Sequence, residues 1–457
     1  MIPSPPRALI DRYAVNGPRY TSYPAATEWT PSFTLAHLAG RLATADALDA
    51  PLSLYVHLPF CEQMCHFCGC NVIATRDRSR ADDYLDGLER EAALWAARLP
   101  RRRSLGQVHL GGGTPTFLSA RQLARLWEIV TRHFTPLPDA ELAVEVDPAV
   151  TTRAQLSLLG GLGFNRLSVG VQDLDLEVQK AVGRLQSEED TREVVEGARA
   201  YGFSSINVDL MYGLPHQRPD ELASTVERIL AMHPDRVALF GYAHVPWMKP
   251  NQRLLPQAAL PGTHERVELF VTAARRLEAR GYSQIGLDHF ARPGDELAEA
   301  QARGTLSRNF QGYTVRAAPD TIALGVSAIS DVAGAFVQGP HRLPDWRASV
   351  DAGRLPVERG LVRSEDDELR GAAIAALMCL LRLELAPLRA RFGDAVEKLR
   401  PGLDALAPLE DDGLVRRRDD GLDVTPLGRL FLRNIAMAFD GYLARHDSGA
   451  RAFSRTL

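Results

Sequence analysis

The sequence predicts an α/β fold: an open, partial β/α barrel with an extended N-terminal arm and a mainly helical C-terminal domain. Three observations carry it. Strand-like and helix-like segments alternate from about residue 52 to about residue 243. The strand-like segments alternate apolar and polar residues, whereas strands of a doubly wound sheet are apolar on both faces. Beyond about residue 360 the pattern turns helical. At 457 residues the chain exceeds one average domain. The expected division is an arm over 1–45, the barrel over 46–355 and the helical domain over 356–457.

The arm is rich in proline, aromatic residues and turn formers, including Pro3, Pro5, Pro6, Gly17, Pro18, Tyr20, Tyr23, Pro24 and Trp29. Strands are expected at 52–58, 107–110, 142–147, 166–172, 206–211 and 236–243, and helices at 81–98, 120–134, 153–159, 187–201 and 219–232. Within the strands, Leu142, Val144 and Val146 oppose Glu141, Glu145 and Asp147. Leu167, Val169 and Val171 oppose Arg166, Ser168 and Gln172, and Val208 and Leu210 oppose Asn207 and Asp209. Tyr55 and His57 share a face against Leu54, Val56 and Leu58. The apolar face must pack on helices, so the polar face lines a lumen able to hold ligands. About six βα units leave such a barrel open on one side. Helices at 366–382 and 388–399, followed by a hairpin turning at 419–421, resemble a winged-helix unit.

Charge argues against that unit binding DNA. The chain has 53 basic and 57 acidic residues, a net charge of −4, and no basic recognition helix, so no nucleic-acid partner is expected and a packing or lid role is preferred. The N-terminus carries no apolar signal core, and the longest nearly apolar run, 372–381, is too short to cross a bilayer. A soluble, cytoplasmic protein without membrane contact is expected. Five cysteines in this length make no disulfide framework. Cys379 lies in an apolar helical stretch and reads as a small buried hydrophobe.

The other four form Cys61-Glu-Gln-Met-Cys65-His-Phe-Cys68-Gly-Cys70, directly after the first strand, at the end where barrel active sites sit. This spacing can point three thiolates at one metal centre. Structural zinc wants four ligands. Cys70 is badly placed to close a tetrahedron with Cys68, although His57 and His66 remain available. A three-thiolate [4Fe–4S] cluster instead leaves one iron open to an external molecule.

The CxxxCxxC loop resembles the radical S-adenosylmethionine (SAM) superfamily. The longer string Tyr55-Val-His-Leu-Pro-Phe-Cys61, with Cys68-Gly-Cys70-Asn71, resembles the oxygen-independent coproporphyrinogen III oxidases (coproporphyrinogen dehydrogenases) within it. Matching segments span nearly the whole chain: Gly17-Pro-Arg-Tyr-Thr-Ser-Tyr-Pro24, Gly111-Gly-Gly-Thr-Pro-Thr116, Glu145-Val-Asp-Pro148, Asp288-His-Phe-Ala-Arg-Pro293, Arg308-Asn-Phe-Gln-Gly-Tyr-Thr314 and Arg451-Ala-Phe-Ser-Arg455.

The resemblance implies a [4Fe–4S] cluster on Cys61, Cys65 and Cys68, SAM on its open iron, and cleavage to a 5′-deoxyadenosyl radical. It carries Tyr55, Gly112, Gly113, Thr114, Glu145 and Ile329 to this SAM, and Phe67, Gln172, Arg184, Asp209 and Ala243 to a second SAM beside it. It further implies oxidative decarboxylation of two propionates of coproporphyrinogen III to vinyl groups, giving protoporphyrinogen IX in haem biosynthesis. An electron donor such as a flavodoxin-type reductant and a monomeric state are expected. From the residues themselves, Thr114 suits a helix N-cap ahead of Pro115. Four propionates call for cationic partners, for which Arg19, Lys249, Arg253, Arg303 and Arg308 are candidates. Cys70 and His57 have no assigned role. The alternatives are a haem chaperone-like or haem-degrading radical SAM relative, which tends to lack both the Cys-Gly-Cys-Asn string and the arm motif, and a non-catalytic zinc or Fe–S scaffold.

Overall fold

The computed structural model describes residues 2–443 and 453–457. Six strands run parallel in chain order: β1 (Leu52–Leu58), β2 (Ser104–Gly112), β3 (Thr135–Val146), β4 (Arg166–Gln172), β5 (Ser205–Tyr212) and β6 (Arg236–Gly241). The helices between them are α1 (Arg80–Arg98), α2 (Ala120–His133), α3 (Arg153–Gly161), α4 (Leu176–Val182), α5 (Glu188–Ala200) and α6 (Pro219–Leu230), and α7 (Thr263–Ala279) follows β6. Local chemistry fixes where several begin. Ser119 with Gln122, Thr152 with Gln155, and Ser187 with Asp190 form reciprocal caps at the starts of α2, α3 and α5.

Shorter strands extend both margins: β7 (Ser283–Ile285), β8 (His289–Ala291), β9 (Thr321–Leu324), β10 (Ile329–Val332), β11 (Ala335–Gln338) and β12 (Arg359–Val362). The resulting twelve-stranded sheet has the order β12-β11-β10-β9-β1-β2-β3-β4-β5-β6-β8-β7 and does not close on itself. It is the expected partial barrel, with β9 as one more parallel strand beside β1. Leu54, Val56, Val144, Val169, Val208 and Leu210 are fully buried in the core under the helices, while the opposing polar residues turn into the lumen.

Two expectations need correction. The arm is not simply extended: residues Arg7–Tyr13 and Ala39–Asp46 are helical, with Ile10, Tyr13, Leu42 and Ala45 buried in the barrel core. Thr114 precedes a 3-10 turn with Pro115 at its first position, but its hydroxyl does not cap that turn.

The arm crosses the rest of the molecule. The backbones of Thr30 and Gly360 exchange hydrogen bonds of 2.9 and 3.1 Å, so the arm pairs with the margin strand β12. Tyr20 and Tyr23 enter a second core with Leu369, Leu377, Leu432 and Phe439. Around that core the C-terminal region folds as α8 (Glu365–Leu380), α9 (Leu385–Phe392), α10 (Leu432–Met437) and a three-stranded antiparallel sheet, Arg382–Glu384, Gly421–Val424 and Val415–Arg418. Arg433, buried in α10, donates to the carbonyls of Gly17, Pro18, Ser454 and Arg455. Arg451 and Ala452 of the last matching motif lie outside the described residues. Among the described residues no helix is long and apolar enough to cross a membrane.

Candidate active site

The cysteine loop leaves β1 through Phe60 and Cys61, which pair with Ile73 and Ala74 and so close the loop at its base. Its far side is tied down by other elements. His66 N–H donates to Val182 O (2.9 Å) and Gln63 Nε2 to Gly183 O (3.3 Å), at the end of α4. Asn251 Nδ2 donates to the carbonyls of Cys65 (3.2 Å), His66 (3.2 Å) and Cys68 (3.0 Å). Gln252 Nε2 bridges Phe67 O and Ala243 O at 3.0 and 3.2 Å. Neither Asn251 nor Gln252 stood out in the sequence, because both lie in a short turn without periodicity.

The loop faces a cleft of about 530 Å³ lined by Cys61, Cys65, Cys68 and Cys70. Opposite them stand Gly112, Gly113, Thr114, Glu145, Gln172, Arg184, Asp209 and Ala243, and Phe67 lines the same space. Tyr55 and Ile329 line an adjoining cavity, which shares Gly112, Glu145 and Cys70 with the cleft. The expected site residues thus divide between two communicating spaces.

Burial pushes the Cys61 thiol up to about 12, with Cys68 and Cys65 adding and the Thr114 hydroxyl, 3.3 Å away, opposing. Burial likewise raises Cys65, against the guanidinium of Arg184 at 3.7 Å. Cys68 moves the other way. The Cys70 thiol donates to it, outweighing burial, and the Cys70 N–H (3.4 Å), Lys249 and Arg184 assist. Cys70 is raised, so it is the protonated partner of a Cys68 thiolate. Among the described residues, no three His, Cys, Asp or Glu side chains already stand in metal-ligating arrangement. The donor set nonetheless fits a thiophilic centre. Three half-buried thiols face one cleft, and the Cys68 charge opposes ionisation of Cys61 and Cys65, which a cationic iron centre would relieve. Of the zinc-ligand alternatives, His57 has both ring nitrogens engaged, with Asn71 O and the Tyr55 hydroxyl, each at 3.0 Å, whereas His66, among the described residues, engages only Nδ1, with Ala181 O at 3.2 Å.

Because a carbonyl only accepts, His57 Nε2 carries the proton and Nδ1 accepts from the Tyr55 hydroxyl at 3.0 Å. Burial lowers the His57 pKa, consistent with a neutral ring. Crowding explains the glycine run. A Cβ on Gly111 would stand 2.8 Å from Glu145 Oε1, on Gly112 2.6 Å from His57 Nδ1, and on Gly113 2.7 Å from Phe60 O. Gly112 also has φ +114°, a region side chains avoid.

Glu145 accepts from His109 Nε2 (2.8 Å) and Gly112 N (3.3 Å). Burial raises its carboxyl, but His109, the Gly112 N–H and His57 outweigh burial and hold it below the usual value. Asp209 accepts from Asn207 (2.7 Å) and Ser168 (3.1 Å). Burial, with the Glu145 charge, lifts it to about 6. One anionic and one readily protonated carboxyl therefore share the lumen. Arg184 joins Asp147 (2.9 Å), Gly170 O (2.6 Å) and the Cys65 sulfur. Gln172 ends β4 with φ +68°, rare for a residue with a side chain.

Of the cationic candidates, Arg19 and Lys249 line the cleft. Arg253 donates to Pro246 O at the surface. Arg303 is engaged with Glu299 on an exposed helix end. Arg308 stacks on Tyr313 and holds the carbonyls of Arg19 and Tyr20.

The family model for the radical SAM superfamily matches residues 55–229, and that for the HemN C-terminal domain matches residues 364–431. The chain is 43% identical to oxygen-independent coproporphyrinogen III oxidase of Pseudomonas aeruginosa over 455 residues, and 43% identical to that of Escherichia coli over 451 residues. Each alignment covers 98% of both chains. The solved structure of the E. coli coproporphyrinogen III oxidase, described as a radical SAM enzyme, superposes with a TM-score of 0.91 at 41% identity. That match covers 97% of this chain and 100% of the other.

Proposed function

Because the chain belongs to the oxygen-independent coproporphyrinogen III oxidase family, we propose that its cleft oxidatively decarboxylates two propionates of coproporphyrinogen III, yielding protoporphyrinogen IX for haem biosynthesis. The observation that carries this reading is the meeting of three thiols with Glu145, Gln172, Arg184 and Asp209 across one cleft. Cys61, Cys65 and Cys68 would hold a [4Fe–4S] cluster that, with SAM bound, would supply the radical chemistry for removing a hydrogen from each propionate β-carbon, one electron per released CO₂ passing to an acceptor.

The residues of the chain bind, orient and exclude. Gly112 and Gly113 present bare backbone to SAM beside Thr114, and Glu145, kept anionic by His109, takes its ammonium or ribose hydroxyls. Tyr55 and Ile329 bound the same ligand from the adjoining cavity. Phe67, Gln172, Arg184, Asp209 and Ala243 surround a second SAM. All five of these residues line the same cleft as the cysteine loop, which supports this. Cys70 steadies Cys68 by hydrogen bonding.

A flavodoxin-type protein delivers the electrons. The enzyme works as a cytoplasmic monomer, its edge strand covered by its own arm. Its division into arm (1–45), barrel (46–355) and helical domain (356–457) rests on the two hydrophobic cores, with β12 remaining in the large sheet.

The reading is tested without oxygen, using reconstituted protein, SAM, a reductant and coproporphyrinogen III. The expected products are CO₂, 5′-deoxyadenosine and protoporphyrinogen IX. Formation of 5′-deoxyadenosine without CO₂ would overturn the substrate assignment alone. In Cys65→Ala, the absorption near ~400 nm expected of a thiolate-held cluster should vanish; a variant that keeps it refutes the ligand assignment.

A further inference from the structure

Arginines gather where the arm, the barrel and the C-terminal region meet. Arg19 of the arm, Arg266 beyond β6, Arg429 just before α10, Arg433 within it, and Arg455 all line one pocket of about 60 Å³. Asp288 is the one acidic side chain among its described lining residues, and it is already hydrogen-bonded to His289 at 2.8 Å.

Burial presses the Arg19, Arg266 and Arg433 pKa values down. The Arg19 and Arg266 charges press further on Arg433, and those of Arg19 and Arg455 on Arg266. These cations therefore repel one another in a place poor in water, a cost that an anion would remove.

Their hydrogen bonds separate two roles. Arg433 spends its donors on the carbonyls of residues 17, 18, 454 and 455 and acts as a clamp. Arg19 gives one donor to Gly241 O and Arg266 one to Tyr242 O. The buried Arg429 Nε has no partner. A planar guanidinium with donors to spare suits a carboxylate.

The pocket adjoins the site. Arg19 and Gly241, hydrogen-bonded to each other, line both the arginine pocket and the cleft of the cysteine loop, so Arg19 stands at the boundary that a side arm of a ligand in the cleft would cross. We propose that this pocket is a carboxylate subsite in which Arg19, Arg266 and Arg429 hold propionates of the substrate that are not being oxidised. This rests on the reading of coproporphyrinogen III as substrate and adds the residues that orient it. Four propionates surround the macrocycle, and anchoring one side fixes which others reach the SAM end.

The test uses full-length, cluster-loaded protein. Removing one charge-assisted partner in Arg429→Gln or Arg266→Gln should raise KM and the anaerobic Kd for coproporphyrinogen III roughly tenfold each. Arg266→Lys should restore part of the loss. SAM affinity and cluster absorbance should stay at wild-type values, and melting should show both variants folded. The propionate tetraester of coproporphyrinogen III should bind wild type and variants equally weakly.

Unchanged KM in both folded variants overturns the subsite and leaves the substrate reading intact. An equal loss of SAM affinity overturns it too, because the carboxylate held would be that of SAM. A wild-type protein that binds no coproporphyrinogen III sinks both readings.

Discussion

Asp209 carries a pH signature that can be read without turnover. Its carboxyl rises from an ordinary 3.8 to about 6 through burial and the Glu145 charge. The folded state thus holds this proton more tightly than the unfolded chain, and stability falls as pH climbs through that window. Asp209→Asn should raise stability by on the order of 1–3 kcal/mol at pH 7, a gain fading below about pH 4, while impairing SAM-dependent turnover. Melts from pH 4 to 8 beside a 5′-deoxyadenosine assay check both halves. A pH-independent gain would assign the effect to packing. Such residues were legible as letters, because sulfur spacing, a glycine run and inward acids on alternating strands announce themselves. Their partners were not. His109 reaches Glu145 from a neighbouring strand, and the Arg266 and Arg429 guanidiniums meet Arg19 from distant parts of the chain.

At the scale of elements, β1, β3, β4 and β5 were visible because each alternates apolar and polar residues over enough length to show, and β2 and β6 as short strand-like runs between helix-like segments. The strands β7 to β12 are three or four residues long, too short for a period to register. Helix α4 was overlooked although Asp175 caps its start and Gly183, at φ +65°, ends it. That helix and the turn Pro250–Leu254 grip the cysteine loop from two sides. Asn251→Ala deprives three loop carbonyls of their shared donor. We expect cluster retention against a chelator to fall about tenfold or more, as for other outer partners of metal ligands, with the folded barrel unchanged by far-UV circular dichroism. Wild-type retention would show that the loop orders itself.

The whole molecule is held together at Arg433. Arg433→Met would leave four carbonyls at the junction of arm and C-terminal region without their donor, costing about 3 kcal/mol or more. Urea denaturation should show the loss, and protease should cut the arm sooner than in the wild type. An unaltered midpoint would mean that the two cores alone hold these segments. The sequence disclosed the arm but not its course, since nothing in a proline-rich stretch says which surface it will cross. Its contact at Thr30 and Gly360 reaches beyond stability. An unsealed margin offers bare amides and carbonyls to any chain with a matching rim, the route by which sheet proteins polymerise. Here the molecule's own arm takes that berth first, so clipping the arm would do more than loosen it: it would leave a sticky seam along which neighbouring copies could zip.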